Sequence, residues 1–402
     1  MICDLLSALK QNRTQIMRVE KFLHKLLGNT IHKSRINLLG CVIAAIIRIK
    51  ELKLTSIGRA IDLPIQERSA IRKIDRLLGN SFFQKQNKIF YEAVTRLLVG
   101  CKKRPIIIVD WTKLPNREEY VLRASLAAQG RAITLYEEIH PKKKVGNDKS
   151  HRLFLNKLAK LLPEGCNPIM VTDAGFKNPW FRSVLKLGWD YIGRVRCCGI
   201  TTYKDATGQF MLCNNLFKIA RSTPKYLGEM VLAKRNPLLV SFYIVKEKIK
   251  GRKKYTKSGK DAVDKDSKNY SRGYREPWLL VSSLKGRFTA KKVVKIYKMR
   301  MTIEEAFRDM KSSQYGFSFE NNKTIKRERL IVWLMLASLA SLLAWIVGFV
   351  AERLKLHYQF QANSIRHRRV LSFFYLGCQI IRKKMEMPID LQQFAFAREI
   401  GI

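Results

Sequence analysis

The sequence predicts a mixed α/β protein with a helical region before the sheet and another after it. Residues 1–100 carry helical periodicity and no convincing period-2 segment. From Arg104 onward, short apolar runs of strand type alternate with amphipathic segments of helical period. The pattern becomes helical again at the end of the chain. We therefore expect a helical domain at 1–100, a core at 101–350 and a helical C-terminal region at 351–402.

The chain is strongly basic. Its 402 residues include 77 Lys and Arg against 32 Asp and Glu, which gives a formal net charge of +45. Such an excess repels itself unless a polyanion neutralises it, so a nucleic acid is the simplest partner. An anionic membrane surface is the second interpretation.

Cysteine usage and the N-terminus indicate a cytoplasmic protein. The 8 cysteines form no C-x-x-C pair, which disfavours a zinc ribbon, and most lie in apolar contexts, as reduced core residues do. The first residues lack the basic region, long apolar core and cleavage site of a signal peptide.

A helix-turn-helix candidate lies inside the first domain. Its first helix is expected at 54–61 and its second at 66–78, ended by Gly79 and Asn80. On the second helix Arg68, Arg72 and Arg76 follow each other at intervals of four and form one basic stripe. A basic stripe beside an apolar one suits a helix in the DNA major groove, although a solvated face of a bundle helix has the same pattern.

The order of elements in the core is typical of one sheet topology. Strands are expected at 105–109, 120–127, 132–139, 168–172 and 189–195, with helices at 149–162 and 179–187. Three antiparallel strands followed by two helical crossovers suit a ribonuclease-H-like domain. Residues 196–276 interrupt it with strand-like runs and a lysine-rich stretch, so we expect a β-rich insertion. A linker is the alternative for 250–272.

One segment, 330–350, is long and apolar enough to cross a membrane. Basic residues flank it on both sides, which gives no orientation signal. A helix enclosed by other elements is also apolar all round, and we favour burial over a membrane span.

Two aspartates follow apolar strands. Asp110 comes after 105–109 and Asp173 after 168–172. If the strands are neighbours, the two carboxylates meet at one edge of the sheet, and a divalent cation would relieve their repulsion. Loop-capping aspartates are the alternative interpretation, since each one alone is weak evidence.

A helix expected from about Thr289 through Lys311 supplies further polar residues. At about 100° per residue, its four functional candidates project within a wedge of roughly 60°. These candidates are Tyr297, Arg300, Glu304 and Lys311. Glu305 points about 100° away from Glu304. An ordinary surface face with an Arg300–Glu304 ion pair is the alternative.

These residue types fit phosphodiester chemistry. Two Mg²⁺ ions held by Asp110, Asp173 and Glu304 would activate a water and stabilise the leaving 3′ oxygen, and Mn²⁺ can substitute for them. Arg300 and Lys311 would grip phosphates beside the metals, and Tyr297 would donate to one.

At these residues the sequence resembles a known family. The spacing Tyr297-x-x-Arg300-x-x-x-Glu304-x-x-x-x-x-x-Lys311 is similar to the Tyr-Arg-Glu-Lys signature of the "insertion sequence four" family of bacterial transposases, within the Asp-Asp-Glu superfamily. The segments 108–112 and 172–176 look like its first two catalytic motifs. The similarity covers most of the chain.

The resemblance implies cut-and-paste transposition, with a hairpin on the element's ends and a homodimeric synaptic complex on double-stranded DNA. Bound DNA includes the terminal inverted repeats and the target. Trp278 matches a tryptophan that stacks on a flipped base in relatives; a core strand aromatic is its alternative role. The protein would act near the bacterial nucleoid. A non-catalytic DNA-binding regulator and a membrane-anchored protein are the competing functions.

Overall fold

A mixed sheet of ten strands runs through the part of the chain that the computed structural model describes. That part is residues 19–28, 30–100, 102–196, 200–205, 207–247, 276–284, 288–362, 364–365 and 367–385. The strands are β1 (Ile106–Lys113), β2 (Glu119–Ala128), β3 (Arg131–Pro141), β4 (Ile169–Thr172), β5 (Asp190–Val195), β6 (Thr202–Lys204), β7 (Phe210–Leu212), β8 (Lys225–Leu232), β9 (Leu238–Val245) and β10 (Trp278–Ser282). Their order across the sheet is β3-β2-β1-β4-β5-β10-β9-β8-β6-β7.

The first five strands have the order and directions that the sequence predicts. β1, β2 and β3 are antiparallel neighbours, whereas β4 runs parallel to β1 and β5 runs parallel to β4. The two crossovers contain the helices α7 (Asp148–Ala159) and α8 (Asn178–Lys186). Parallel neighbours need such crossovers because a tight hairpin cannot connect them.

The predicted insertion is β-rich, but its strands do not form a separate layer. β10 pairs with β5 on one side and with β9 on the other, so β6 to β9 extend the core sheet. The insertion is therefore an extension of the sheet rather than an independent subdomain. Most of the lysine-rich stretch, including the possible linker at 250–272, lies outside the described residues.

Six helices precede the sheet in the described part of the chain. They are α1 (Val19–Leu27), α2 (Lys33–Ile49), α3 (Leu54–Ala60), α4 (Glu67–Gly79), α5 (Ser81–Lys85) and α6 (Lys88–Val99). The helix-turn-helix candidate corresponds to α3 and α4, each within one residue of the predicted bounds. Ala70, Ile74, Leu77 and Leu78 of α4 are buried, while Arg68, Arg72 and Arg76 are exposed on it.

Within the described residues, four α-helices follow the sheet. They are α9 (Ala290–Lys298), α10 (Met301–Lys311), α11 (Arg327–Arg353) and α12 (Phe373–Arg382). Alternate residues of β1 face two apolar clusters, with Ile107 and Val109 in one and Ile106 and Ile108 in the other. Both faces of the sheet are therefore covered, and α9 and part of α10 lie on the face shared by Ile106 and Ile108.

The long apolar segment is the helix α11. It is long and apolar enough to cross a membrane, yet 83% of its most apolar window is buried inside the protein. It packs closely on α12, because a Cβ added at Gly348 would lie 1.8 Å from the Phe373 carbonyl oxygen. The structure thus agrees with the predicted burial, and neighbouring helices account for the apolar surface.

Candidate active site

Asp110 lies inside a strand, not after one as the sequence predicts. β1 continues through Lys113 because it remains paired with β2 beyond the end of β4; its register with β4 stops at Val109 and Thr172. Asp110 falls on the same face as Ile106 and Ile108, and its side chain is 14% exposed. Its Oδ1 accepts a hydrogen bond of 2.8 Å from the Trp111 amide.

Asp173 follows β4 as predicted. Since β4 pairs with β1 up to Thr172, Asp173 and Asp110 are the next residues on two adjacent parallel strands. Asp173 Oδ1 accepts a hydrogen bond of 2.8 Å from the Gly175 amide, which closes a tight turn beneath the carboxylate. The sheet therefore places the two aspartates at one edge.

The predicted long helix is in fact two helices. α9 ends at Lys298 and α10 begins at Met301, with Arg300 at the junction. From there the Arg300 guanidinium reaches two carboxylates, at 3.3 Å from Asp110 Oδ2 and 2.5 Å from Glu304 Oε1. The Arg300–Glu304 pair that sequence reasoning weighed as an alternative is present, and the contact with Asp110 joins it to the sheet.

Of Asp110, Arg300 and Glu304, Glu304 is the most exposed, with a side chain that is 40% exposed. Its neighbour Glu305 points elsewhere and pairs with Arg308 on the surface of α10. As the helical geometry predicts, the two glutamates point in different directions: Glu304 contacts Arg300, and Glu305 contacts Arg308.

Tyr297 is buried, with 3% exposure, which does not suit the direct phosphate contact that its position on the helix suggested. Its ring packs edge-on against Trp278 with 5.2 Å between the centroids. Trp278, the first residue of β10, is half-buried, so it has the core contact that was the alternative to base stacking. Burial raises the pKa of Tyr297, so its hydroxyl stays protonated.

Lys311, the last residue of α10, contacts the same strand as Arg300. Its Nζ donates to the Thr112 hydroxyl at 2.5 Å, two residues beyond Asp110 on β1. Burial and the nearby Arg123 guanidinium lower the pKa of Lys311 to about 8, with a partial offset from Asp110. Through its contact with Thr112, the Lys311 side chain lies at the same end of the sheet as the carboxylates.

Electrostatic repulsion is concentrated at Asp110. Burial and then the neighbouring Asp173 raise the pKa of Asp110 to about 7, although Arg300 acts in the opposite direction. Burial alone would lower the pKa of Arg300, but Tyr297, Asp110 and Glu304 together raise it. The site therefore holds more carboxylate charge than one arginine neutralises, which is the condition that a bound cation relieves.

The donor chemistry suits a divalent cation. Asp110, Asp173 and Glu304 offer only carboxylate oxygens, which are the ligands that Mg²⁺ prefers. Within the described residues, no three His, Cys, Asp or Glu side chains form a group that could hold a metal ion. Two observations support the fit of these residues to a cation. Asp110 and Asp173 repel each other, and Arg300 contacts both Asp110 and Glu304.

Sequence reasoning missed His151, a buried residue of α7. Its Nε2 lies 3.0 Å from Trp111 Nε1, and its ring stacks on Phe176 with centroids 4.9 Å apart. Trp111 follows Asp110 and Phe176 comes three residues after Asp173, so His151 joins the two aspartate segments. A lone histidine in an apolar helical pattern is usually a core residue, and the sequence carries no signal that separates the two cases.

Two contacts that hold α10 on the sheet, made by Arg131 and Arg123, were also missed. Arg131 of β3 lies 2.5 Å from Asp309, and both side chains are largely buried. Arg123 of β2 pairs with the buried Glu137 at 2.7 Å and stacks over Phe307 at 4.8 Å. Asp309 and Phe307 are far in sequence from Arg131 and Arg123, so only the tertiary structure reveals these contacts to α10.

Comparison with known families agrees with this geometry. The sequence profile described as the transposase DDE domain matches residues 102–343. This chain belongs to the DDE transposase family. The match includes all ten strands and the three carboxylates of the site.

Other comparisons add little. The cryo-EM structure of a piggyBac transposase synaptic complex with hairpin DNA has a TM-score of 0.44 and 11% sequence identity to the chain, over 92% of this chain and 76% of that one. No curated protein matches the chain significantly. Membership of the DDE transposase family by itself implies a DNA transposase whose strand cleavage depends on divalent metal ions.

Proposed function

We propose that the chain is a cut-and-paste transposase of the "insertion sequence four" family, built on a ribonuclease-H-like core. The observation that carries the proposal is the meeting of Asp110, Asp173 and the Arg300–Glu304 pair at one edge of the sheet. Sheet order and strand directions in β1 to β5 support the core assignment. The chain would work in the bacterial cytoplasm, bound to DNA near the nucleoid.

Three carboxylates would act in cleavage. Two Mg²⁺ ions, for which Mn²⁺ can substitute, would activate a water and stabilise the leaving 3′ oxygen when bound by Asp110, Asp173 and Glu304. Arg300 holds Asp110 and Glu304 in place through its two contacts, and its charge would be available to a scissile phosphate once metal ions neutralise those carboxylates. Lys311, fixed by Thr112, would neutralise a phosphate beside it.

Tyr297 and Trp278 would support these residues. The Tyr297 ring packs against Trp278 at the start of β10. If Trp278 moved away from that ring, its indole could stack on a flipped base during hairpin formation. The exposed Arg68, Arg72 and Arg76 of α4 would read the terminal inverted repeats, and a homodimer would hold two such ends together.

The proposal is tested with DNA that carries the ends of the element. Short inverted repeats bounded by a target duplication, read from the DNA that flanks the gene, would supply the substrate. The purified chain with Mg²⁺ should cut this DNA. Asp110→Ala, Asp173→Ala and Glu304→Ala should each bind it, while cleavage falls by more than about a hundredfold, because each substitution removes a metal ligand.

Glu305→Ala is the matched control on the same helix. Glu305 pairs with Arg308 on the surface of α10, so its loss should leave cleavage close to the rate of the unaltered chain. If Glu304→Ala also cut normally, Glu304 would lose its assigned role.

The second candidate function is a non-catalytic DNA-binding regulator derived from a transposase. The exposed arginines of α4 favour it. It predicts binding to the element's ends without cleavage in Mg²⁺ or Mn²⁺. Arg72→Ala should weaken end binding by about 1–3 kcal/mol if Arg72 contacts a base edge, and equally on random DNA if it contacts a phosphate.

A further inference from the structure

A basic groove lies away from the catalytic carboxylates. It has a volume of about 470 Å³ and opens between the beginning of α3, the side of α4 and the segment that leads into α11. Its lining consists of Lys53, Leu54, Thr55, Asp75, Asn322, Lys323, Thr324, Ile325, Lys326 and Arg329. None of the active-site residues is among them.

The segment 322–326 forms one wall of the groove and is held in place from behind. Asn322 Nδ2 donates to the Leu52 carbonyl at 2.6 Å, and Arg117 Nε donates to the Thr324 carbonyl at 2.8 Å. Trp333 Nε1 donates to the Thr324 hydroxyl at 2.9 Å. These bonds fix the backbone of the segment, so binding of a ligand would need to order the exposed side chains only and not the chain that carries them.

The charge of the groove is unbalanced. Lys53, Lys323 and Lys326 are exposed, and none of them has an ion pair within the described part of the chain. The one acidic side chain of the lining is Asp75, which already pairs with Arg329. Three lysines thus converge on a cavity with no carboxylate left to neutralise them, which suits an anionic ligand.

The helix that borders the groove also points to the ligand. At about 100° per residue, Asp75 lies within an arc of roughly 100° that also contains the three exposed arginines of α4. A DNA duplex lying on that arginine face would therefore reach the groove, and its backbone phosphates carry the charge that the lysines lack.

We propose that this groove binds the DNA backbone, with Lys53, Lys323 and Lys326 contacting phosphates. The proposal rests on the proposed function, since it adds a contact to the DNA that the transposase would hold. It assigns DNA affinity to a surface built jointly by the helix-turn-helix and the chain that follows α10, so one duplex would be held by both regions.

Salt dependence of binding tests the groove without catalysis. Binding of a fluorescent random-sequence duplex is measured by anisotropy across a range of salt, in EDTA so that no strand is cut. Each phosphate contact contributes about 0.9 to the slope of log affinity against log salt, so Lys323→Ala/Lys326→Ala should lower the slope by about 2. Lys323→Arg/Lys326→Arg keeps the charge and should keep the slope.

Two controls separate the groove from general loss of charge. Lys160→Ala/Lys186→Ala removes two exposed lysines that do not line the groove and should leave the slope unchanged. Ile325→Ala alters the same segment, where Ile325 is 89% exposed, without altering charge, and should also leave it unchanged. Thermal melting of each variant by circular dichroism checks that the fold is retained.

The outcomes are distinguishable from those of the catalytic tests. An unchanged slope in Lys323→Ala/Lys326→Ala, with normal binding by the unaltered chain, would overturn the groove alone. Failure of the unaltered chain to bind any duplex would overturn both the groove and the proposed function. A reduced slope in a chain that never cuts the element's ends would support the groove and favour the regulator.

Discussion

At the scale of single residues, burial determines which charges the active site retains. Asp110 is buried beside Asp173, so its carboxylate has a raised pKa and depends on a nearby cation such as Arg300 to stay ionised. The sequence shows that Asp110, Arg300 and Glu304 are present at suitable spacings. It does not show that one guanidinium contacts both carboxylates, because that contact joins positions 190 residues apart.

His151 gives a pH-dependent prediction at this scale. Burial and the nearby His140 lower the pKa of His151 to about 4, from the usual 6.5, and its Nε2 accepts from Trp111 only when it is unprotonated. The unfolded chain therefore binds this proton first as pH falls. Stability is fully present above pH 6.5 and decreases toward pH 4, by about 2 kcal/mol between pH 6.5 and pH 5.

Urea unfolding at pH 6.5 and pH 5 measures this difference. In His151→Gln that part of the pH dependence should disappear, because glutamine does not titrate. The carboxylates titrate equally in both proteins, so only the difference between the two profiles is informative. Identical profiles for the unaltered chain and His151→Gln would refute the prediction.

At the scale of elements, neighbours decide where helices and strands end. β1 continues past Asp110 because β2 still pairs with it, and the predicted long helix divides at Arg300, where the side chain turns toward the sheet. Local periodicity could not reveal either boundary. It did predict the helices α3 and α4 and the succession of strands and helices along the core, because these depend on patterns close in sequence.

The ion pair between Arg131 and Asp309 should fix α10 on the sheet. Arg131→Met leaves the Asp309 carboxylate, 6% exposed, without its partner, and should lower the free energy of unfolding by about 3–5 kcal/mol. Arg308→Met breaks the surface pair with Glu305 on the same helix and should cost less than about 1 kcal/mol. Urea unfolding of the two variants checks the contrast; equal losses would contradict a positioning role for Asp309.

The contact between α11 and α12 gives a second prediction for elements. Gly348→Ala should destabilise the fold by about 1–3 kcal/mol, because the added Cβ would collide with the Phe373 carbonyl and the helices must separate. Gly79→Ala is the control: no atom lies within 4 Å of the added Cβ at this helical position, so stability should hold or rise slightly. Thermal denaturation of both variants would expose a failure of the packing argument if they behaved alike.

At the scale of the whole molecule, the apolar helix α11 belongs to the core, whereas the large positive charge favours binding of a polyanion. α11 has the composition of a membrane span, but the sheet and its neighbouring helices enclose it. The charge of +45 remains available for a polyanion. An interaction with anionic lipid would therefore be electrostatic and sensitive to salt.

Fractionation tests that conclusion. The chain expressed in bacteria should leave the membrane fraction after a high-salt wash without detergent, since α11 is already buried within the fold. A chain that required detergent for release would indicate that α11 leaves the core and inserts into lipid. A fusion to an established membrane span provides the control for retention.

The sequence by itself determined the basic character of the chain, the strands and crossovers of the core, and the candidate residues Asp110, Asp173 and Glu304. These follow from composition, periodicity and spacing, which act over short stretches of chain. Only the tertiary structure decided that the insertion joins the sheet, that Arg300 spans two carboxylates, and that His151 and Asp309 support the site. Those contacts join residues distant in sequence, and packing rather than local preference brings them together.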